Sequence, residues 1–142
     1  MRRKWRFAPF ILLLLVSSAA AAGDFDWVRD FNTRAQADPS GFRERIGARF
    51  QVGDAQIAAL LGGVPTPADA YIVLRLGEIS RQPADRVLRE YNTSKGRGWG
   101  EIAKSLGIKP GSEEFHALKR GQDLYNGNDG KAKGKKKHST RE

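Results

Sequence analysis

The sequence contains no cysteine and only two histidines among 142 residues. Without cysteine the chain can form neither a disulfide nor a thiolate metal site, so its fold must be held together by packing alone. One Glu-x-x-His pair, Glu113 and His116, would supply half of a carboxylate-bridged metal centre, but the chain has no second pair. We therefore expect no metal and no cofactor.

Long apolar runs are also scarce, and the one that is present lies near the N-terminus. Four basic residues within Arg2–Arg6 precede the apolar run Phe7–Val16, and small residues follow as far as Ala22. This pattern is typical of a secretory signal, since the run is too short for the roughly 20 residues that span a bilayer. We expect residues 1–22 to be removed, and the remaining chain, without a transmembrane segment, to be periplasmic or secreted.

The net charge of +9 is distributed unevenly along the chain. The first 22 residues hold four basic residues and no acid, and residues 131–142 hold six basic residues and one acid. Residues 23–130 hold 15 of each and are formally neutral. The basic character thus belongs to the two ends, which argues against a nucleic-acid-binding surface on a folded body.

The pattern of apolar residues indicates helices. No segment alternates between apolar and polar residues at the period of a strand, whereas apolar residues recur at helical spacing through most of the chain. The sequence therefore predicts an all-α domain at residues 23–121, a compact bundle of about six short helices. A disordered tail rich in glycine and lysine is expected at residues 122–142.

One helix is expected at the centre of this bundle. Thr66, Pro67 and Asp69 form a strong helix start, because they supply an N-cap hydroxyl, a proline in the first turn and an acid at the third position. The helix from Pro67 to about Gln82 is apolar around much of its girth, as a buried helix is. In the helix before it, Asp54 is expected to be the cap.

Two helix-turn-helix-like hairpins are expected in the bundle, because five apolar positions of one recur in the other. An aliphatic residue, Val52 or Ile108, fills each turn. The repetition fits either a duplicated hairpin or the common needs of two packed short helices. The paired positions are Ile46, Phe50, Val52, Ile57 and Leu60 in the first hairpin, and Ile102, Leu106, Ile108, Phe115 and Leu118 in the second.

The segment Lys95–Gly100, Lys-Gly-Arg-Gly-Trp-Gly, is the best candidate for a binding site. Its glycines would let a ligand approach the backbone, and the start of the following helix would offer free N–H groups to an anion. Lys95, Arg97 and Lys104 would supply positive charge, and Trp99 a flat face for a sugar or a base. The alternative is a flexible loop, with Trp99 in the core and the basic residues in solvent. No group of residues forms a catalytic constellation.

The tail is expected to act either as an electrostatic tether for anionic lipid or polymer, or only as a solubilising end. Its composition cannot bury apolar area, and clustered lysines attract anionic surfaces. The tether residues are Lys131, Lys133, Lys135, Lys136 and Lys137.

Three motifs lie between Tyr91 and Gly121. They are Lys-Gly-Arg-Gly-Trp-Gly at residues 95–100, Ile-Ala-Lys-Ser-Leu-Gly-Ile-Lys-Pro-Gly-Ser at residues 102–112, and Glu-Phe-His-Ala-Leu-Lys at residues 114–119. In this region the chain resembles a family of small exported bacterial proteins that have no assigned activity. The resemblance implies a bacterial envelope setting and supplies no catalytic residues.

These features favour an exported, non-enzymatic helical module that binds a partner or an anionic polymer at the bacterial envelope. A small secreted hydrolase acting on cell-wall or sugar polymers is one alternative, and it requires Glu90, Glu101 and Glu114 to face one cleft. An extracytoplasmic nucleic-acid binder is another. Specific DNA binding is disfavoured because Glu113 and Glu114 begin the helix that would enter the groove, where phosphates would repel them.

Overall fold

The computed structural model describes residues 24–125, which form seven helices and contain no strand. The helices are α1 (Val28–Ala37), α2 (Pro39–Phe50), α3 (Asp54–Gly63), α4 (Pro67–Ser80), α5 (Ala84–Thr93), α6 (Trp99–Ser105) and α7 (Glu113–Arg120). The predicted all-α class is confirmed, with seven helices where about six were expected. The predicted signal at residues 1–22 lies outside the described residues, as do the tether residues Lys131, Lys133, Lys135, Lys136 and Lys137.

Helix α4 lies at the centre of the bundle, and eight of its 14 residues are buried. It packs against α1, α3, α5 and α7, because a helix that is apolar on most sides must be covered by several others. The predicted central helix is therefore confirmed, although it ends at Ser80 rather than near Gln82. Among residues 24–125, no single helix has both the length and the hydropathy to cross a bilayer; α3 and α4 would suffice together, but the chain bends by 114° between them.

The start of α4 has the predicted cap. The Thr66 hydroxyl oxygen accepts a hydrogen bond from the Asp69 N–H at 3.2 Å, and Pro67 occupies the first turn. The side-chain carbonyl of Asn32 on α1 accepts another from the Ala68 N–H at 2.8 Å. Helix α1 thus satisfies a backbone donor for which α4 itself has no partner.

The start of α3 differs from the prediction. Gly53 is the N-cap and no side chain caps the helix, so Asp54 is the first helical residue rather than the cap. The predicted cap at Asp54 is therefore wrong by one position. In the first turn the carboxylate still interacts favourably with the helix dipole, which explains an acid at this position.

Helices α2, α4 and α6 end in the same type of turn. Gln51 and Arg81 directly follow α2 and α4, and Gly107 follows α6 after Leu106; all three have left-handed backbone, with φ of 55°, 55° and 80°. The next N–H then bonds back to a carbonyl five residues earlier, which satisfies the end of the helix. These bonds run from Val52 to Gly47 at 3.2 Å, from Gln82 to Gly77 at 2.9 Å, and from Ile108 to Ala103 at 2.9 Å.

This turn accounts for part of the similarity of the two predicted hairpins. Val52 and Ile108 occupy equivalent positions in it, and each carries the aliphatic side chain that the turn packs inward. The same turn also follows α4, which belongs to neither hairpin. Helix α2 packs against α3, whereas α6 packs mainly against α5, and α7 against α4. The common needs of helix ends therefore explain the aliphatic residue in each turn, and whether the two hairpins are duplicated stays a prediction.

Residues 24–27 are docked on the end of α7. The Phe25 N–H donates to the Lys119 carbonyl at 2.8 Å, and the Trp27 indole N–H donates to the Leu118 carbonyl at 3.0 Å. The indole also packs edge-on against the ring of Tyr71 in α4, with ring centres 5.5 Å apart. These contacts satisfy two carbonyls at the end of α7 and hold the segment against the centre of the bundle.

Residues 122–125 pack on the same part of the bundle. The Tyr71 hydroxyl donates to the Asp123 carboxylate at 2.6 Å and accepts from the Asp123 N–H at 3.1 Å. Leu124 is only 7% exposed. The folded body therefore continues past Gln122, where the disordered tail was expected to begin, because a buried hydroxyl needs a partner and an apolar side chain needs cover.

The turn after α6 gives a test of this fold. Gly107→Ala should lower the free energy of unfolding by about 1 kcal/mol, because a Cβ disfavours the left-handed backbone at this position. Gly111 follows in the same connection, and its φ is not left-handed. Gly111→Ala is therefore the matched control, and it should leave stability unchanged or slightly higher. Urea unfolding followed by circular dichroism measures both, and equal losses would contradict the described turn.

Candidate functional site

The candidate segment Lys95–Gly100 spans most of the loop from α5 to α6 and the first two residues of α6. Gly96 and Gly98 have left-handed backbone, with φ of 86° and 80°, and nothing lies within 4 Å of where a Cβ would be. Between them, the Arg97 N–H donates to the Ser94 carbonyl at 3.0 Å. The backbone of this turn, rather than crowding, is therefore the reason for the two glycines.

Trp99 is half-buried, so it is neither fully inside the core nor free in solvent. Its indole stacks on the Tyr91 ring, with ring centres 5.1 Å apart and planes inclined by 23°. Both rings border a pocket of about 330 Å³, whose walls also include Asp69, Ser94 and Lys95. Trp99 therefore both packs α6 onto α5 and forms part of a pocket wall.

Only two of the four predicted site residues border the pocket. Lys95 and Trp99 border the pocket, whereas Arg97 is exposed in the loop and is not part of the wall. Lys104 lies outside the pocket, and its ammonium pairs with the Glu101 carboxylate at 3.3 Å on the exposed side of α6. Because α6 has only seven residues, few peptide dipoles add up at its start. The pocket, rather than the helix end, is the stronger candidate.

The sequence alone does not identify Asp69, Tyr91 and Ser94 as pocket residues. Asp69 is predicted only as part of a helix start, and its carboxylate accepts a hydrogen bond from the Thr66 hydroxyl at 2.7 Å. Ser94 is buried, and its hydroxyl donates to the Glu90 carboxylate at 3.1 Å. Burial raises the pKa of Tyr91, and the charge of Asp69 raises it further. Of these three, only Tyr91 could be identified from the sequence as a pocket residue. It is an aromatic residue just before a tight glycine turn, and this turn brings α6 back onto α5.

The basic residues of the body are not spread evenly. Residues 81–104 contain six basic and three acidic residues, and all six basic residues are exposed. Residues 24–80 and 105–125 together contain nine basic and 11 acidic residues. A body that is nearly neutral as a whole thus has its excess positive charge in the stretch that contains α5 and α6, which border the pocket together with Asp69 of α4. The six basic residues are Arg81, Arg86, Arg89, Lys95, Arg97 and Lys104.

The glutamates that a hydrolase would use do not border this pocket. Glu90 accepts the Ser94 hydroxyl, Glu101 pairs with Lys104, and Glu114 borders a separate cavity beside the loop before α7. Asp69 is the carboxylate in the pocket wall. In the part of the chain that the structure describes, no three His, Asp or Glu side chains are grouped as a metal site would require.

A second polar group joins α2, α4 and the C-terminal residues of the body. Arg49 lies at its centre, with one guanidinium nitrogen 2.9 Å from the Glu78 carboxylate and another 2.8 Å from the Asp123 carboxylate. Arg75 also pairs with Glu78, and the Tyr71 hydroxyl donates to Asp123. We call these five residues the Arg49 cluster. Sequence reasoning missed it, because Arg49 and Asp123 are 74 positions apart and no local pattern connects them.

The Arg49 cluster shifts the pKa values of its acids. The hydrogen bond from Arg49 is the main reason that the pKa of Glu78 lies below its ordinary value. Burial opposes the charge on Asp123, but hydrogen bonds from Tyr71 and Arg49 outweigh it and lower the pKa of Asp123. Both carboxylates therefore stabilise the fold in their charged form. The cluster's evident role is to fasten the end of the body to α2 and α4.

No family model matches this chain, and no curated protein or solved structure matches it either. The resemblance of residues 91–121 to small exported bacterial proteins therefore stays a prediction. A functional proposal therefore rests on the pocket, which Lys95 borders, and on the excess of exposed basic residues in residues 81–104.

The Arg49 cluster predicts how stability depends on pH. The contribution of Glu78 and Asp123 should be complete above the unfolded pKa values of about 4, and it should disappear as the pH falls through their lower folded pKa values. Their side chains are 44% and 49% exposed. Because water screens such pairs, the loss should amount to only about 1 kcal/mol.

Asp123→Asn isolates this effect. The variant should be about 1 kcal/mol less stable than wild type at neutral pH, with a smaller further loss on acidification. Glu44→Gln is the control, because Glu44 is exposed on α2 and lies outside the Arg49 cluster. Thermal unfolding by circular dichroism across the acidic range measures all three proteins. Parallel pH profiles for wild type and Asp123→Asn would show that the cluster contributes nothing.

Proposed function

We propose that this chain is an exported, non-enzymatic helical module that binds an anionic polymer or partner of the bacterial envelope through the pocket beside α5 and α6. The proposal rests on one observation: the stacked rings of Tyr91 and Trp99 border a pocket together with Lys95. The pocket lies in the part of the described body that has excess positive charge. Aromatic faces beside exposed cations suit a ligand that combines apolar faces with negative charge.

The composition of the pocket favours binding over hydrolysis. A glycosidase needs two carboxyl groups flanking the bond that it cleaves. Asp69 supplies one carboxylate to the wall, whereas Glu90 and Glu101 lie outside it and are engaged by Ser94 and Lys104. A pocket with one carboxylate, a cation and two aromatic rings has groups that can bind a ligand, but it lacks the two carboxyl groups that glycoside hydrolysis requires.

The lysine tail would add a second, weaker attachment. Lys131 comes six residues after Tyr125, so even a fully extended chain keeps it within about 20 Å of the body. Each lysine near an anionic surface contributes about 1 kcal/mol, and salt screens this attraction. Because both attachments belong to one chain, a ligand held in the pocket raises the effective concentration of the tail at the same polymer.

Export is part of the proposal, and it rests on the signal pattern of residues 1–22. N-terminal sequencing of the chain from the envelope or medium fraction of a bacterial host should begin at Gly23. Replacing Leu13 and Leu14 with arginine should retain the chain in the cytosol with Met1 intact, because the charges interrupt the apolar run. The control replaces both leucines with isoleucine. Wild-type chain found in the cytosol with its full N-terminus would contradict export.

The binding proposal predicts retention on a polyanion such as dextran sulfate. The double variant Lys95→Gln, Arg97→Gln should bind about tenfold more weakly at low salt, because it loses two charge contacts of roughly 0.7 kcal/mol each. Deleting residues 131–142 should lower the salt concentration that elutes the protein.

The matched control for the double variant is Lys109→Gln, Arg120→Gln. It removes the same charge from exposed positions outside residues 81–104. It should bind more tightly than the variant at Lys95 and Arg97. Equal weakening would mean that net charge alone attracts the polymer, and no retention of wild type at low salt would refute the proposal.

A further inference from the structure

We propose that the ligand of this pocket is an acidic polysaccharide, with one sugar ring held against the aromatic wall and its carboxylate near Lys95. This inference rests on the proposed function and names the chemistry of the polymer. It follows from three groups that border the same space: the stacked rings, two side chains whose oxygens can accept hydrogen bonds, and one cation.

The aromatic wall suits a sugar ring. Tyr91 covers one side of the Trp99 indole at a ring separation of 5.1 Å, which fixes the orientation of the indole beside the pocket. A pyranose has an apolar C–H face that packs on such a surface, and rigid aromatic side chains provide contact area at low entropic cost. The pocket of about 330 Å³ is at the small end of the range for ligand sites, so it suits one ring of a longer polymer.

The polar wall discriminates between kinds of polyanion. Asp69 contributes a carboxylate, and the Thr66 hydroxyl occupies one of its two oxygens at 2.7 Å. A carboxylate only accepts hydrogen bonds, so it pairs with the hydroxyl groups of a sugar, whereas the phosphates of a nucleic acid or a lipid headgroup offer it no donor. Ser94 adds a hydroxyl oxygen, which donates its own hydrogen to Glu90 and so can only accept from a ligand hydroxyl. A ligand rich in hydroxyl groups therefore fits this wall best.

Lys95 is the reason that we infer an acidic sugar rather than a neutral one. Lys95 borders the pocket, and Arg97 follows in the exposed glycine loop, within a stretch where basic residues outnumber acids by six to three. A neutral sugar would offer Lys95 and Arg97 no negatively charged group to bind. A carboxylated sugar combines a C–H face, hydroxyl donors and one negative charge, and so uses all three parts of the pocket.

Calorimetry with the complete exported protein tests this inference. The probes are oligomers of polygalacturonate, alginate and hyaluronan, a neutral dextran oligomer, a single-stranded DNA oligonucleotide matched in charge, and phosphatidylglycerol vesicles. At least one carboxylated oligomer should bind at least fivefold more tightly than the DNA, the vesicles and the dextran.

Variants then show which pocket residue binds the carboxylate of the ligand and which binds its sugar ring. Lys95→Met should weaken the best carboxylated oligomer about tenfold and leave dextran binding unchanged, whereas Lys104→Met, outside the pocket on α6, should change neither by more than twofold. Trp99→Leu should weaken both sugars. If that variant unfolds, the indole N–H resonance of Trp99 in wild type replaces it. That resonance should shift with the oligomer, while the resonance of Trp27, bonded to Leu118, should not.

The outcomes separate this inference from the function on which it rests. Equal binding of all the polyanions, weakened equally by Lys95→Met, would overturn the polysaccharide and leave the anion-binding module in place. Preference for the oligonucleotide or the vesicles would overturn it in favour of a phosphate ligand. Binding of no polyanion would overturn both proposals together.

Discussion

The burial of α4 on most of its surface is the constraint from which the rest of the structure follows. Ile72, Val73 and Leu76 have no exposed surface, and each such aliphatic side chain contributes about 1.5–3 kcal/mol when it is buried. One neighbouring helix cannot cover such a surface, so four helices pack around it. Polar groups on α4 need partners for the same reason. The Tyr71 hydroxyl is bonded to Asp123, and Asn32 accepts the N–H of Ala68.

Features specified by neighbouring residues could be predicted from the sequence. The start of α4 at Thr66 and the aliphatic residues in the turns at Val52 and Ile108 depend on contacts within a few positions, and local pattern reveals them. The predicted cap of α3 lies one residue too late, at Asp54 instead of Gly53, because local pattern allows both positions. Glycine and aspartate are both good N-caps, and the sequence does not say which of two adjacent positions the helix begins after.

Features that depend on distant residues could not be predicted in this way. The Arg49 cluster joins residues up to 74 positions apart, and the docking of residues 122–125 depends on a hydroxyl in α4. The candidate site lies between these cases. Lys95 and Trp99 are found from their own segment, whereas Asp69 reaches the pocket only through the packing of α4 against α5 and the return of α6.

The contacts of residues 24–27 determine when the folding of the body can be completed. The Trp27 indole bonds to a carbonyl 91 positions later, and Lys119 pairs with Asp24 across 95 positions. A ribosome releases the chain from its N-terminus, so these bonds must wait until almost the whole body has emerged. Until then the nascent chain lacks the contacts that hold residues 24–27 against α7. If the chain is exported as proposed, such late formation of these contacts would leave the body unfolded while the chain passes through a membrane channel.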